Sequence, residues 1–260
     1  MNVSRFLGYQ YGDLLLAWIA RTIRARYKQS LLGGLWAVIQ PATAAIIFSL
    51  IFTYFVPIDT EGIPYLLFSY TAMVPWTLLT ASITDMVDSL VINMNLISKI
   101  YFPREVLPIA AMLARLLDFG IAFLVLTILL LFFQIPMDPF LLFLLPMVVV
   151  IQLMLVLGVG LIGAALNVFY RDIRHVVGLG LQIWLYASPV IYPVGRVPES
   201  LRTFYFLNPM AGIIESYRDI LLHQRMPGAY LLASMAIAVA IMALGYVLFK
   251  RLELQFADVV

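Results

Sequence analysis

The sequence predicts an all-α, polytopic membrane protein, and two observations carry this prediction: its composition and its long uncharged stretches. Of the 260 residues, 63% are hydrophobic and only 12% are charged, against about 45–50% and about 25% in an average soluble domain. A soluble domain buries only about 60–75% of the surface of its unfolded chain, so it could not hide this much apolar surface. Several stretches reach the ~20 residues that a helix needs to cross a bilayer, where a helix satisfies its own backbone.

Six transmembrane helices are predicted within one domain that covers residues 1–260. The third of them contains Arg115 and Asp118 near one end, three positions apart, where they can pair on one helix face. We interpret that pair as structural, because an arginine near a helix end can reach the lipid headgroups. The predicted spans cover residues 35–57, 63–84, 108–133, 139–167, 176–194 and 228–249.

The segment before the first span predicts an amphipathic helix over residues 13–31. Arg21, Arg24 and Lys28 share one arc of a helical wheel, the other positions are mostly apolar, and Arg26 lies off the charged arc. This pattern is typical of a helix that lies in the membrane interface. A short solvated helix is the alternative.

The distribution of the basic residues predicts that both termini lie in the cytoplasm. With that orientation, most of the 16 lysines and arginines flank the inner ends of the spans, and the outer arginines fall in one long segment. The two short outer loops carry acidic residues and no basic ones. The sequence therefore predicts a multi-pass protein of the cytoplasmic membrane.

The long outer segment predicts short helices over residues 198–222. Asn208 is a favourable N-cap and Pro209 suits the first helical position, so we expect a helix to begin there. This helix is too short to span a membrane, and it carries Glu215 and Arg218 among bulky apolar residues. We expect a re-entrant or surface-lying helix on the outer side, which would cap an exit.

Several classes of chemistry are excluded by what the sequence lacks. There is no cysteine, which removes disulfides and thiolate metal sites, and the two histidines are too far apart to suggest a metal site. No GxxxxGK[ST] motif occurs, so the chain itself is not expected to bind a nucleoside triphosphate. The net charge of +2 argues against nucleic acid as a partner. The sequence thus predicts no catalytic residue and no metal site.

Two short motifs permit both a chemical and a structural interpretation. Gly158, Gly160 and Gly163 spell GxGxxG, but inside an apolar run they indicate close helix packing rather than a dinucleotide site. Asp85 and Asp88 form a pair that could hold Mg²⁺ on a diphosphate in a prenyl-transfer enzyme. Because no second acidic cluster lies at matching depth, a solvated helix end after the second span is favoured.

Aromatic residues make up 13% of the chain and are frequent in the first and fifth predicted spans. They form either an interfacial belt with lipid-facing bulk or a stacking surface for sugar rings, and the sequence leaves both open. The residues concerned are Trp36, Phe48, Phe52, Phe55, Trp184, Tyr186 and Tyr192.

The inner loop over residues 95–107 combines a short apolar helix with two prolines. Ile97, Tyr101 and Phe102 are apolar and lie beside Lys99. A cluster of exposed apolar side chains on a cytoplasmic loop suggests that the loop binds in the groove of a partner protein. A loop that rests on lipid is the alternative.

Four segments together resemble the type-2 ABC export permeases for polysaccharides. They are RYKQSLLGGLWAVIQP near the N-terminus, ISKIYFPREVLP in the inner loop, NVFYRDIRHVVGLGLQIWLYASPVIYP around the fifth span, and LNPMAGIIESYRDILL after it. The resemblance runs in order over nearly the whole chain. Members of this family export O-antigen, capsule or teichoic-acid chains, carried on a lipid, across the bacterial inner membrane.

The resemblance also implies partners and the use of cofactors. It implies a homodimer of this chain that is paired with two copies of a separate cytoplasmic ATPase. That ATPase would use ATP and Mg²⁺, while this chain would bind no cofactor. The substrate would be a lipid-linked polysaccharide, met at the membrane lipid and not at nucleic acid.

The resemblance further implies roles for four groups of residues. The first and fifth spans would line the channel with the seven aromatic residues named above. The ATPase contact would involve Ile97, Lys99, Tyr101, Phe102, Arg104 and Glu105. The diphosphate of the lipid carrier would meet Arg24, Arg26 and Lys28. The outer gate would include Asn208, Pro209, Glu215 and Arg218.

The sequence therefore predicts the permease subunit of an ATP-driven exporter of a lipid-linked polysaccharide, without enzymatic activity of its own. Two other classes stay open. One is an ABC exporter of small hydrophobic compounds, which needs a closed cavity rather than a continuous tunnel. The other is a polyprenyl-diphosphate membrane transferase, in which Asp85 and Asp88 would be essential.

Overall fold

The computed structural model describes residues 3–28, 30–97, 99 and 102–256, with side chains from residue 11 onward. This part of the chain is helical and contains no strand, as the sequence predicts. We number its α-helices in chain order: α1 Val3–Tyr27, α2 Trp36–Leu50, α3 Tyr65–Ile92, α4 Met94–Ile97, α5 Val106–Phe132, α6 Pro139–Leu142, α7 Leu145–Phe169, α8 Ile173–Ala187, α9 Glu199–Tyr205, α10 Pro209–Leu221 and α11 Tyr230–Glu253.

Five segments of the described chain are long and apolar enough to cross a membrane. The first combines a 3-10 turn, α2 and a π-helical turn, and the fourth combines α6 and α7. These five segments overlap the first four and the last of the six predicted spans. They are Gly33–Phe55, Tyr65–Ile92, Val106–Phe132, Pro139–Phe169 and Tyr230–Glu253.

The fifth predicted span, 176–194, is not a continuous helix. It corresponds to α8, which has 15 residues and is therefore about 22 Å long, short of the ~30 Å hydrocarbon core. The helix ends at Ser188, which is extended with φ −111° and ψ 153°, because the following Pro189 disfavours the helical conformation of the residue before it. The chain continues through a 3-10 turn at Val194–Arg196 into α9.

α3 lies at the centre of the fold and packs against α2, α5, α7, α8 and α10. In its most apolar stretch 78% of the residues are buried, against 11% for the segment that contains α2. Two amides of α7 also bind its backbone: Gln152 donates to the Pro75 carbonyl at 2.7 Å, and Asn167 donates to the Val87 carbonyl at 2.9 Å. Such buried amides need partners in lipid, and their bonds fix the register of α7 on α3.

Close helix packing explains the GxGxxG motif. A Cβ atom at Gly158 would lie 2.6 Å from the backbone of Ile241 in α11, and one at Gly245 would lie 2.3 Å from the Gly158 carbonyl oxygen. A Cβ atom at Gly160 would meet the Met86 side chain of α3 at 2.3 Å. The interpretation of these glycines as packing residues is confirmed, since helices approach this closely only where a side chain is absent.

α10 is buried within the fold. All but one of the 13 residues of α10 are buried, and the helix packs against α3, α7 and α11. α10 therefore does not lie on the surface of the described chain. Whether it is re-entrant in the membrane stays a prediction.

The helix that precedes the first span, α1, runs alongside α5. It begins at Val3 and ends at Tyr27, so it starts ten residues before the predicted 13–31 segment. Trp18, in the middle of α1, stacks on Phe102, at the end of the molecule that also holds α4 and the C-terminal end of α11. We call this the inner end, following the predicted orientation.

Candidate entry and coupling site

An ion-pair network joins three helices in the inner half of the molecule. Arg26 on α1 pairs with Asp85 on α3 at 2.6 Å and with Asp118 on α5 at 3.0 Å. Arg115 on α5 pairs with the same two carboxylates at 2.7 Å and 2.9 Å. The Tyr27 hydroxyl donates a hydrogen bond to Asp118. Each carboxylate therefore binds two guanidinium groups, and the inner ion-pair network carries no net charge.

The inner ion-pair network is partly shielded from solvent, with 15–26% of each charged side chain exposed. Charge-assisted pairs between guanidinium and carboxylate groups are stronger than neutral hydrogen bonds, and this set forms only when α1, α3 and α5 are all in place. Burial and then the hydrogen bond to Asp118 raise the pKa of Tyr27 to about 12, so its phenol stays a neutral donor. The network thus fixes the C-terminal end of α1.

Three interpretations of the sequence meet in this network. The pair Arg115–Asp118 is confirmed. The interpretation of Asp85 as part of a solvated helix end is wrong, because α3 continues to Ile92 and two arginines neutralise the carboxylate. The position of Arg26 off the charged arc of α1 is the sequence signal that explains its inward direction.

The other two basic residues predicted to meet a lipid diphosphate face outward. Arg24 and Lys28 are exposed and lie one helical turn apart, about 6 Å along the axis. Arg24 uses its Nε atom in a 3.2 Å hydrogen bond to the Ala20 carbonyl. An anion that approaches α1 therefore meets Arg24 and Lys28, while Arg26 is already engaged by two carboxylates.

Two cavities flank the inner ion-pair network. The first has a volume of about 220 Å³ and lies between the C-terminal end of α1 and helices α2, α3 and α5; Arg26, Arg115 and Asp118 form part of its wall. The second has a volume of about 310 Å³ and is lined by both Asp85 and Asp88. The network is the shared partition between the two cavities.

The inner segment predicted to contact an ATPase is tied to both terminal helices. Phe102 stacks on Trp18 of α1, with ring centroids 6.5 Å apart and an interplanar angle of 16°. Arg104 donates from its side chain to the backbone carbonyl of Glu253 in α11 at 2.6 Å, and its own N–H donates to the Glu253 carboxylate at 3.1 Å. Displacement of this segment would therefore pull on α1 and α11 together.

The remaining residues predicted at the ATPase contact differ in exposure. Ile97 is buried, and Glu105 is buried and pairs with Lys250 of α11 at 2.8 Å. Lys99 is exposed. Tyr101 lies outside the described residues. Lys99 is thus the charged group of this segment that faces solvent, whereas Glu105 is used within the chain.

The seven aromatic residues predicted to line a channel divide by exposure. Phe52 packs on Tyr65 at 5.5 Å, and Trp184 meets Trp76 edge-on at 6.3 Å, so these rings contribute to the interior of the chain. The exposed rings are those of Trp36, Phe55 and Tyr186. The half-buried rings are those of Phe48, Phe52, Trp184 and Tyr192.

The start of α10 is held by Asn208. Its side-chain oxygen accepts from the Met210 amide at 3.1 Å, which makes it the predicted N-cap, and from Trp184 Nε1 at 2.7 Å. Its amide nitrogen donates to the Ser188 hydroxyl at 2.9 Å. Pro209 occupies the first helical position. Asn208 therefore links the end of α8 to the start of α10.

Charged side chains are buried along α10. The guanidinium of Arg218 has no exposed surface, lies 3.5 Å above the centroid of the Phe68 ring and donates to the Val190 carbonyl at 3.1 Å. Glu215 is 3.8 Å away from it. Because cation–π contacts strengthen when desolvated, Arg218 holds α10 against α3 from inside.

Asp219, a further buried charge of α10, was not predicted as a site residue. It pairs with Arg225, which follows the helix, at 2.5 Å. Burial is the largest influence on this carboxyl and raises its pKa to about 6, even though Arg225 acts in the opposite direction. The spacing of opposite charges six residues apart, across the end of a predicted helix, is the only sequence signal for this pair.

The chain is similar to known transport proteins over most of its length. A family model described as "ABC-2 type transporter" matches residues 13–222, which include the inner network, the inner segment and α10. The chain belongs to the ABC-2 type transporter family. This ABC-2 protein is 32% identical over 254 residues to the O-antigen export system permease protein RfbA of Myxococcus xanthus, and the match covers 96% of each chain.

Other relatives of this ABC-2 protein carry related names. It is 29% identical over 255 residues to an O-antigen export system permease protein RfbA of Klebsiella pneumoniae, which covers 97% of this chain and 96% of the relative. It is 25% identical over 218 residues to the polysialic acid transport protein KpsM of Escherichia coli, which covers 80% and 79%. The relatives are transport permeases, which leaves the transferase alternative without support.

Membership in the family also indicates the membrane in which the protein resides. This ABC-2 permease is a protein of the inner membrane, and five of its segments are suited to span it. Within the described residues, no group of three or more histidine, aspartate or glutamate side chains is placed to hold a metal ion.

Proposed function

We propose that this ABC-2 permease is the membrane subunit of an ATP-driven exporter that moves a lipid-linked polysaccharide across the inner membrane. Its relatives that align over nearly their whole length are named for O-antigen export. A separate ATPase in two copies consumes ATP and Mg²⁺, and two copies of this chain form the conduit. The chain itself neither makes nor breaks a covalent bond.

The observation that carries this proposal is the bonding of the inner segment. Through Phe102 it contacts α1, and through Arg104 and Glu105 it contacts α11. A force applied by an ATPase to the exposed Lys99 region is thus delivered to two helices at once. A partner shifts a conformational equilibrium only by its differential contacts with the two states, and this segment offers those contacts.

At the inner surface, the substrate diphosphate is recognised by the exposed basic residues of α1. Arg24 and Lys28 provide two positive charges one helical turn apart, which suits a group with two adjacent phosphates. Arg26 has a different role in this conformation, because Asp85 and Asp118 neutralise it. It orients the helix end on which Arg24 and Lys28 are displayed.

The glycan then passes between two copies of the chain. The segment Gly33–Phe55 is only 11% buried in its most apolar stretch, and this face suits a second copy. Exposed Trp36, Phe55 and Tyr186 provide aromatic surface for sugar rings. The outer mouth is closed by α9 and α10, where Asn208, Pro209, Glu215 and Arg218 set the position of the re-entrant helix.

The proposal is tested by co-purification with the ATPase and by ATP-dependent movement of a lipid-linked glycan in vesicles. Lys99→Glu reverses the exposed charge of the inner segment, and we expect it to weaken co-purification and glycan transport together. Arg196→Glu makes the same change at an exposed position on the opposite, outer end, and should leave both unchanged. Wild-type protein that transports glycan without an ATPase, or that hydrolyses ATP alone, would refute the proposal.

A further inference from the structure

The 220 Å³ cavity beside the inner ion-pair network has room for about seven waters, at ~30 Å³ each. It is smaller than the ~300–1,000 Å³ pockets that take drug-sized ligands. The cavity lies between the end of α1 and helices α2, α3 and α5, and it is partly open to the outside. Its size suits one small ring rather than a chain or a lipid tail.

The wall of this cavity mixes polar and aromatic side chains. Charged groups come from Arg115 and Asp118, an amide from Gln40, and hydroxyls from residues of α1 and α3. Trp36 and Phe119 add aromatic surface. A sugar ring needs donors and acceptors for its hydroxyls and an apolar surface for its C–H face, and binding sites for small molecules place a few polar groups in such apolar surroundings.

A phosphate group suits this wall less well than a sugar does. Asp118 would repel it, and Asp85 and Asp118 together neutralise the positive charges of Arg26 and Arg115. A purely apolar ligand would leave the polar groups of the wall without partners, which is costly. Planar guanidinium and carboxylate groups can instead donate to and accept from neighbouring hydroxyls of one sugar.

The cavity also lies where the chemistry of the substrate would put a sugar. Arg24 and Lys28 are exposed on one face of α1, and Arg26, between them in the chain, forms part of the cavity wall. Tyr27 and Ser30, which stand on either side of Lys28 in the chain, also line the cavity, so the backbone at Lys28 lies beside it. In a lipid-linked glycan the first sugar is bonded directly to the diphosphate, so a diphosphate bound by the Lys28 side chain would place that sugar next to the cavity.

We propose that this cavity binds the saccharide ring that is attached to the diphosphate of the lipid carrier. The inference rests on the proposed function, and it adds a sugar-specific subsite to the diphosphate contact. Gln40, Thr77, Arg115 and Asp118 supply its polar contacts, and Trp36 supplies its aromatic wall. A saccharide bound in this subsite would therefore contact Arg115 and Asp118 of the inner ion-pair network, which fixes the end of α1.

The test measures binding of two probes to the full chain in lipid nanodiscs. One probe is a polyprenyl diphosphate that carries a single saccharide, and the other is the same polyprenyl diphosphate without sugar. Gln40→Leu, at an exposed position, and Thr77→Leu each remove a polar contact without removing a charge. We expect each to weaken binding of the saccharide-bearing probe about tenfold, while binding of the sugar-free probe stays unchanged.

The matched control is Thr127→Leu on α5, because the Thr127 hydroxyl donates to the Phe123 carbonyl of its own helix. This control should bind both probes as the wild type does. If Gln40→Leu and Thr77→Leu bind the saccharide-bearing probe normally, or weaken both probes equally, the subsite is refuted and the proposed function stands. If the wild-type protein binds neither probe, the proposed function itself fails.

Discussion

The strength of the inner ion-pair network can be measured through Asp85→Asn, which removes one charge and keeps the shape of the side chain. Arg26 and Arg115 would then share a single carboxylate, Asp118. Breaking a fully buried pair costs about 3–5 kcal/mol, and an exposed pair contributes about 0–1 kcal/mol. Because 15–26% of each side chain is exposed, we expect a loss of about 1–2 kcal/mol.

The assay is thermal unfolding of the purified protein in one fixed lipid or detergent. For chains of 150–250 residues, 1 kcal/mol corresponds to about 2–4 °C in Tm, so Tm should fall by about 2–8 °C. Asp88→Asn is the control, because Asp88 lies on the same helix and forms no ion pair with the described residues. It should change Tm by less than ~2 °C, because a substitution away from such contacts usually changes stability by at most ~0.5 kcal/mol.

A double-mutant cycle decides whether the network, rather than the lone carboxylate, is responsible. We expect Arg26→Gln and Asp85→Asn to show a coupling energy of at least ~0.5 kcal/mol, as groups in direct contact do. Strictly additive losses, or equal losses for Asp85→Asn and Asp88→Asn, would refute the reasoning. The hydrogen bond from Tyr27 to Asp118 is left intact in every variant.

Three further predictions concern other parts of the chain. Gly245→Ala places a methyl group 2.3 Å from a carbonyl oxygen of α7 and should abolish the monodisperse peak in size-exclusion chromatography, whereas Gly178→Ala, with nothing within 4 Å, should not. The pKa of Asp219 is raised to about 6, so its contribution to the stability of α10 is greatest below the ordinary pKa of a carboxyl and is lost as the pH rises through 6. Hydrogen exchange over residues 209–221, corrected for intrinsic rates, should therefore be slower at pH 5 than at pH 8. Asp219→Asn should abolish that difference. Phe102→Ala should lower transport-coupled ATP hydrolysis more than co-purification with the ATPase, since its ring contacts Trp18 inside the chain; equal losses in both would place Phe102 at the ATPase surface.

The class of fold was predictable because hydropathy follows directly from composition. The end of α8 at Ala187 was not predictable in this way. A count of apolar residues along the chain treats Ser188 and Pro189 as two more members of an uncharged run. The backbone of Ser188 is nevertheless extended, at φ −111° and ψ 153°, and the helix stops. The end of this helix is thus set by the backbone restriction that proline imposes, which average hydropathy does not record.

The inner site was predictable only in part. The pair Arg115–Asp118 lies on one helix and follows from spacing alone, whereas Asp85 and Arg26 are 59 residues apart and meet through tertiary packing. The second predicted span ends at residue 84, before the first charge that follows it, and so excludes Asp85. Two arginines from neighbouring helices neutralise it, and α3 continues through it to Ile92.

The burial of α10 has a consequence for the biogenesis of the protein. A Cβ atom at Gly212 would lie 2.2 Å from the Ser234 hydroxyl of α11. The surface that α10 packs against therefore includes α11, which is synthesised after α10. Until α11 has been inserted, α10 and its charged residues have no finished binding surface. Chains stalled before α11 should therefore be recognised as unfinished and degraded by membrane proteases.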